Sequence, residues 1–221
     1  MADKEILIFV EGPSDKVFLE VYLYFLEDFP IKNFKVKDVK GKDNLSKRLL
    51  EIEKYDKTLI IFDANKDYES NKKEILTVVS KTKQTISEEQ IFLFPNNQDD
   101  GDLETLLLEI AKHDEFLKCF ESYLECIKSK EHHEPIKNIR KNMLYAYLEV
   151  FELQKFFQYK WDTNNKKQEK CLIDDKGKIK EKNKEEYEKL KEVIDFNSKS
   201  LIPLKNFLGQ FAENKQKTNL F

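Results

Sequence analysis

The chain has 221 residues, of which 40% are hydrophobic and 37% charged, with five Gly, five Pro, three Cys and a formal charge of −3. That composition supports a sizeable core and excludes collagen-like, low-complexity and loop-rich β-sandwich chains, and the length fits one large domain or an α/β domain with a helical appendage. Cys119, Cys126 and Cys171 form an odd set without CxxC spacing, so neither a disulfide framework nor a zinc ribbon is expected, and the chain reads as cytoplasmic. There are 17 basic against 23 acidic residues up to position 112, and 22 against 19 beyond it. No basic stripe stands out, so bare electrostatic binding to nucleic acid is not the expectation. No apolar stretch reaches bilayer length and no basic leader precedes the first apolar run, so no membrane association is expected.

In chain order, residues 5–10 (EILIFV) predict a strand, and Gly12-Pro13-Ser14 opens a helix carrying Val17, Phe18, Val21 and Tyr22. Phe34, Val36 and Val39 predict an edge strand closed by Lys40-Gly41, and Leu45, Leu49, Leu50 and Ile52 predict a helix. Residues 58–63 (TLIIFD) are apolar on both faces, as in a central parallel strand covered by helices on each side. A helix over 69–82 and a strand over 90–94 complete four βα units, which together predict a mostly parallel four-stranded sheet flanked by helices.

Beyond Leu103 the periodicity is helical throughout: 103–112, 114–129, 136–159, 185–194 and 199–212, with a polar insertion near 162–184. The expected division is an α/β domain over 1–112 and a helical C-terminal region over 113–221.

In open α/β sheets ligands gather beyond the carboxyl ends of the strands. Here those ends are acidic: Glu11 and Asp15 after the first strand, Asp63, Asn65 and Asp67 at the third, and Asp99, Asp100, Asp102 and Glu104 after the fourth. Adjacent parallel strands lie about 4.8 Å apart, so carboxylates ending strands one and three can share a cation if those strands are neighbours. Oxygen-rich, histidine-free ligation suits Mg²⁺ or Mn²⁺. The same carboxylates also suit helix caps and turns, the competing role at each position.

ILIFVEGPSDKVFL and LIIFDANKD resemble the Toprim domain, shared by bacterial primases, type IA and type II topoisomerases, recombination proteins and OLD-family nucleases. VKGKDNL (39–45) and FPNNQDDGDLETLLL (94–108) further resemble small stand-alone Toprim-related prokaryotic proteins near the OLD-family nucleases. The resemblance spans roughly residues 5–110 and implies a Toprim-like Rossmannoid fold. By position, Glu11 matches the Toprim glutamate, Asp63 the first aspartate of the D-x-D pair, and Asn65 stands where the second is expected. Asp15, Asp102 and Glu104 match acidic positions that OLD-like members use around a second cation.

The activity implied is Mg²⁺- or Mn²⁺-dependent phosphodiester hydrolysis of nucleic acid, DNA ahead of RNA, with Glu11 and Asp63 catalytic and Asp67 a substitute ligand. The alternative is a Toprim-like module that binds metal or nucleotide without catalysis. A receiver-like domain phosphorylated on Asp63 would need a lysine after its last strand, and none directly follows Pro95. His132-His133-Glu134-Pro135 reads as a polar loop, Cys119 and Cys126 as core packing, and Lys176–Lys191 as a solvated face.

Overall fold

The computed structural model describes residues 6–26, 34–131, 136–154 and 184–211. Its elements in chain order are β1 (Ile6–Val10), α1 (Pro13–Phe25), β2 (Phe34–Asp38), a 3₁₀ segment (Lys42–Arg48) running into α2 (Leu49–Ile52), β3 (Lys57–Asp63) and α3 (Tyr68–Val79). A 3₁₀ turn (Glu88–Gln90), β4 (Ile91–Phe94), α4 (Leu103–Glu109), α5 (Asp114–Lys128), α6 (Ile139–Val150), α7 (Lys184–Val193) and, after a 3₁₀ turn (Lys199–Leu201), α8 (Ile202–Gly209) complete them. They form two compact units: residues 1–102 with 201–221, and residues 103–200. No described helix is long and apolar enough to cross a membrane.

The first unit is an α/β fold around one four-stranded sheet in the order β2-β1-β3-β4, parallel at every pairing. Residues 7–10 and 58–62 are fully buried because both faces of the sheet are covered, which is why these strands read as unbroken apolar runs. On one face Leu7, Phe9, Ile60, Phe62 and Leu93 pack with Leu45, Ile52, Ile75 and Val79. On the other, the Phe18 ring of α1 meets Phe94 edge-on at 5.8 Å, and Phe92 meets Phe207 of α8 at 5.4 Å. Each such side chain, fully buried, is worth about 1.5–3 kcal/mol. Tyr22 is buried with them, its hydroxyl donating to the Leu201 carbonyl at 3.4 Å, and burial pushes its pKa up to about 12.

The second unit is helical. Tyr147 of α6 donates its hydroxyl to the Val193 carbonyl at 2.7 Å, and Ala111 and Ile194 form an isolated antiparallel bridge. The His113 ring stacks on Phe151 at 4.9 Å.

Several elements differ from expectation. The segment predicted as one helix through Leu45–Ile52 is 3₁₀ up to Arg48 and α-helical from Leu49; Leu45 and Ile52 reach the core, and Leu50 is 77% exposed. The helix predicted over 136–159 stops at Val150, and only its residues up to 154 are among those described. Its end is a Schellman turn: Glu152, at φ 60, donates to Glu149 O at 3.0 Å, and Leu153 donates to Leu148 O at 2.8 Å, with both leucines buried. Cys119 and Cys126 are exposed free thiols on α5 rather than core residues. His132, His133, Glu134, Pro135 and residues 162–183 of the polar insertion lie outside the described residues.

Candidate active site at the carboxyl edge of the sheet

Parallel pairing brings the ends of β2, β1 and β3 to one edge. Val10 stands level with Asp38 on one side and Ile61 on the other, so Glu11, one residue further, lies between the ends of its two neighbours. The loop after β2 is fastened to the same place: Val39 N–H donates to Val10 O and Gly41 N–H to Glu11 O, each at 2.9 Å. Gly41 makes this turn at φ 99, a conformation that side-chain-bearing residues avoid.

The Glu11 carboxylate is enclosed by these segments. Burial raises its pKa above the ordinary glutamate value; the backbone N–H of Asp63, the Lys42 ammonium and the Lys42 N–H oppose the shift without cancelling it. Glu11 Oε2 is buried and has no hydrogen-bond partner among the described residues. An orphaned carboxylate oxygen is costly to bury, so such an atom calls for a proton or a cation.

Lys42 is held in turn. Its Nζ donates to Asn71 Oδ1 at 2.5 Å and to Glu74 Oε2 at 2.6 Å, and Asn71 Nδ2 donates to the Ala64 carbonyl at 2.5 Å. This chain of contacts ties the loops after β2 and β3 together across the mouth of β1.

The other acidic residues divide sharply. Asp15 is 7% exposed, and its Oδ2 accepts the Gly12 N–H at 2.8 Å, which caps the start of α1. Asp67 is the N-cap of α3, accepting Ser70 N–H at 2.9 Å, and Asp100 accepts the Tyr68 N–H of the same helix start at 2.8 Å. Asn65 sits at φ 56 and donates its N–H to Gly101 O at 2.6 Å, while its Nδ2 reaches Asp63 O at 3.3 Å. Asparagine tolerates that left-handed conformation well, which gives the residue a backbone reason to be there. Asp102 directly precedes α4, and Glu104 lies in the first turn of that helix.

Among the described residues no three His, Cys, Asp or Glu side chains stand together as a ready metal cage. What the edge does bring together is Glu11, the end of β3 at Asp63, and Lys42. Sequence reasoning gave no role to Lys42 or to Asp38, whose buried Oδ1 also has no partner among the described residues. The signal for both was available: β2 ends at the same edge, and its following loop carries Lys42 two residues beyond Lys40.

The family described as "Protein of unknown function (DUF3226)" matches residues 5–213, and the chain belongs to it. No curated protein matches the chain. Among solved structures it is similar to the C-terminal region of the Burkholderia pseudomallei OLD protein, at 14% identity and a TM-score of 0.37, over 71% of this chain and 86% of that one.

Proposed function

We propose that the chain is a divalent-cation-dependent phosphodiester hydrolase acting on nucleic acid, with Glu11 and Asp63 at its centre and Mg²⁺ or Mn²⁺ as cofactor. The observation that carries this reading is the buried Oε2 of Glu11, without a hydrogen-bond partner among the described residues, at the strand end adjoining the one that finishes in Asp63. The residues present fit a hard cation that keeps part of its water shell, as Mg²⁺ usually does, binding through one or two carboxylates rather than a complete protein cage. Glu11 Oε2 and the Asp63 carboxylate would hold it, with the Asn65 side-chain oxygen as a neutral third donor. The bound ion would supply Lewis-acid stabilisation of charge on the phosphate. Lys42, fixed by Asn71 and Glu74, lies beside Glu11 and favours its ionised form, the one a cation needs. The strand-end motif with its resemblance to Toprim domains points the same way.

Incubating the chain with single-stranded and duplex DNA and RNA in Mg²⁺ and in Mn²⁺ tests this. Cleavage lost in Glu11→Gln and in Asp63→Asn, with folding intact, is the expected result; cleavage unchanged in both variants refutes the assignment.

A second reading is favoured by the caps. With Asp15 and Asp67 committed to helix starts and asparagine at position 65, the acidic set is smaller than the motif promises. The chain would then bind a cation or nucleotide without turnover, and no cleavage would occur under any cation although Mg²⁺ still binds.

A further inference from the structure

Four of the six large hydrophobic side chains exposed among the described residues lie on one pair of helices: Phe116 and Tyr123 on α5, Ile139 and Val150 on α6. Both helices belong to the second unit. On α5, Leu117 is buried and Phe120, Leu124 and Ile127 are half-buried, so that stripe faces the chain's own core. A second stripe beside it, Phe116, Cys119, Tyr123 and Cys126, is exposed at every position and spaced three, four and three residues apart, the spacing of a helix–helix seam. Helix α6 repeats the arrangement: Leu144, Tyr147 and Leu148 are buried, while Ile139, Met143, Ala146 and Val150, spaced four, three and four apart, are exposed or half-buried. The Phe116 ring meets Phe151 edge-on at 5.4 Å, so the start of α5 lies against the end of α6, the helices run antiparallel, and the two stripes lie side by side. None of their positions is charged, in a chain that is 37% charged.

Each stripe is complementary to its own reverse. Turned end for end, Phe116 falls opposite Cys126 and Tyr123 opposite Cys119, a ring over a small residue each time. On α6, Met143 falls opposite Ala146 and Ile139 opposite Val150. The reversals are centred on Glu121 in α5 and between Leu144 and Tyr145 in α6, and the Phe116–Phe151 contact puts those two points within about 2 Å of the same level. One two-fold axis therefore serves both helices. An uncharged stripe is what such an axis needs, because a charged side chain close to it meets its own copy. Glu115, at one end of the α5 stripe, and Lys130, past the other, come near opposite charges in the reversed arrangement.

We propose that a second copy of this chain covers the stripes, so that α5 and α6 of two chains pack into an antiparallel four-helix bundle. The face is about 20 Å long, and two helices side by side make it about 20 Å wide. A pair of copies then buries about 800 Å² before side-chain relief is counted, at the small end of specific interfaces, and the dimer is reversible. The contact uses neither Glu11 nor a cation, and it goes beyond the reading of the sheet edge.

Sedimentation equilibrium of the full chain over a range of concentrations, in EDTA, tests the proposal. The mass should rise from 26.4 kDa towards twice that value. Tyr123→Glu and Val150→Glu alter side chains that are 52% and 53% exposed, so each should keep the circular dichroism spectrum and thermal midpoint of the wild type. Each should weaken the dimer about tenfold or more, as loss of a central apolar contact does. Iodoacetamide labelling of Cys119 and Cys126, located by peptide mass, should slow as the wild-type concentration rises and stay fast in Tyr123→Glu. A wild type that remains monomeric throughout, a dimer undiminished in both folded variants, or labelling indifferent to concentration overturns the proposal. Glu11→Gln should dimerise as the wild type does. A dimer without cleavage would count against the hydrolase reading alone, and cleavage by a monomer against the dimer alone.

Discussion

The carboxylate of Glu11 accepts the backbone N–H of Asp63, yet its Oε2 is buried with no hydrogen-bond partner among the described residues. One oxygen pair thus joins the ends of two neighbouring strands and leaves part of its capacity unused.

Because burial raises the Glu11 pKa, the folded chain holds that proton more tightly than the unfolded chain does. The stability tied to the proton is fully present below the ordinary glutamate value and is lost as pH rises through the raised one. Glu11→Gln should therefore be more stable than the cation-free wild type at neutral pH, with the difference closing in acid. Urea titrations across pH 4–8 in EDTA measure this, and added Mg²⁺ should stabilise only the wild type.

A cation at Oε2 competes with the same proton. Mg²⁺ affinity should rise as pH increases through the Glu11 titration and flatten above it, with proton release detectable by calorimetry in two buffers. Affinity independent of pH would place the ion away from Glu11.

Lys42 lowers the Glu11 pKa and sits between Asn71 and Glu74. Lys42→Met should raise the Glu11 pKa further, read from carboxyl ¹³C shifts, and shift the rise of Mg²⁺ affinity to higher pH.

Asp15 and Asp67 separate caps from ligands. Asp15→Ala and Asp67→Ala should each cost about 1 kcal/mol of stability, the worth of a helix cap, while leaving Mg²⁺ affinity close to wild type. A large loss of Mg²⁺ binding in either would return that residue to the metal site.

The four strands were legible because a doubly covered parallel sheet demands unbroken apolar runs, and TLIIFD and ILIFV supply them, but that β1 and β3 adjoin is set by the crossovers, which periodicity does not encode. Turn chemistry was less legible. The stop at Val150 depends on Glu152 in a left-handed conformation, where the usual sequence signal would be Gly or Asn. Glu152→Gly should accordingly stabilise the second unit by about 1 kcal/mol, measurable by thermal unfolding. Nor does spacing tell a cap from a ligand: Asp15 and Asp67 follow β1 and β3 by five and four residues, close enough to share the same edge, and only the positions of the Gly12 and Ser70 N–H groups show which carboxylates are occupied. Helical periodicity likewise marked the apolar face of α8 without naming Phe92 as its partner.

The most direct measurement is anomalous scattering from crystals soaked in Mn²⁺. The account predicts a peak within coordination distance of Glu11 Oε2 and the Asp63 carboxylate that disappears in Glu11→Gln. Well-ordered crystals with no peak at that strand edge, or a peak unaffected by the substitution, would contradict it.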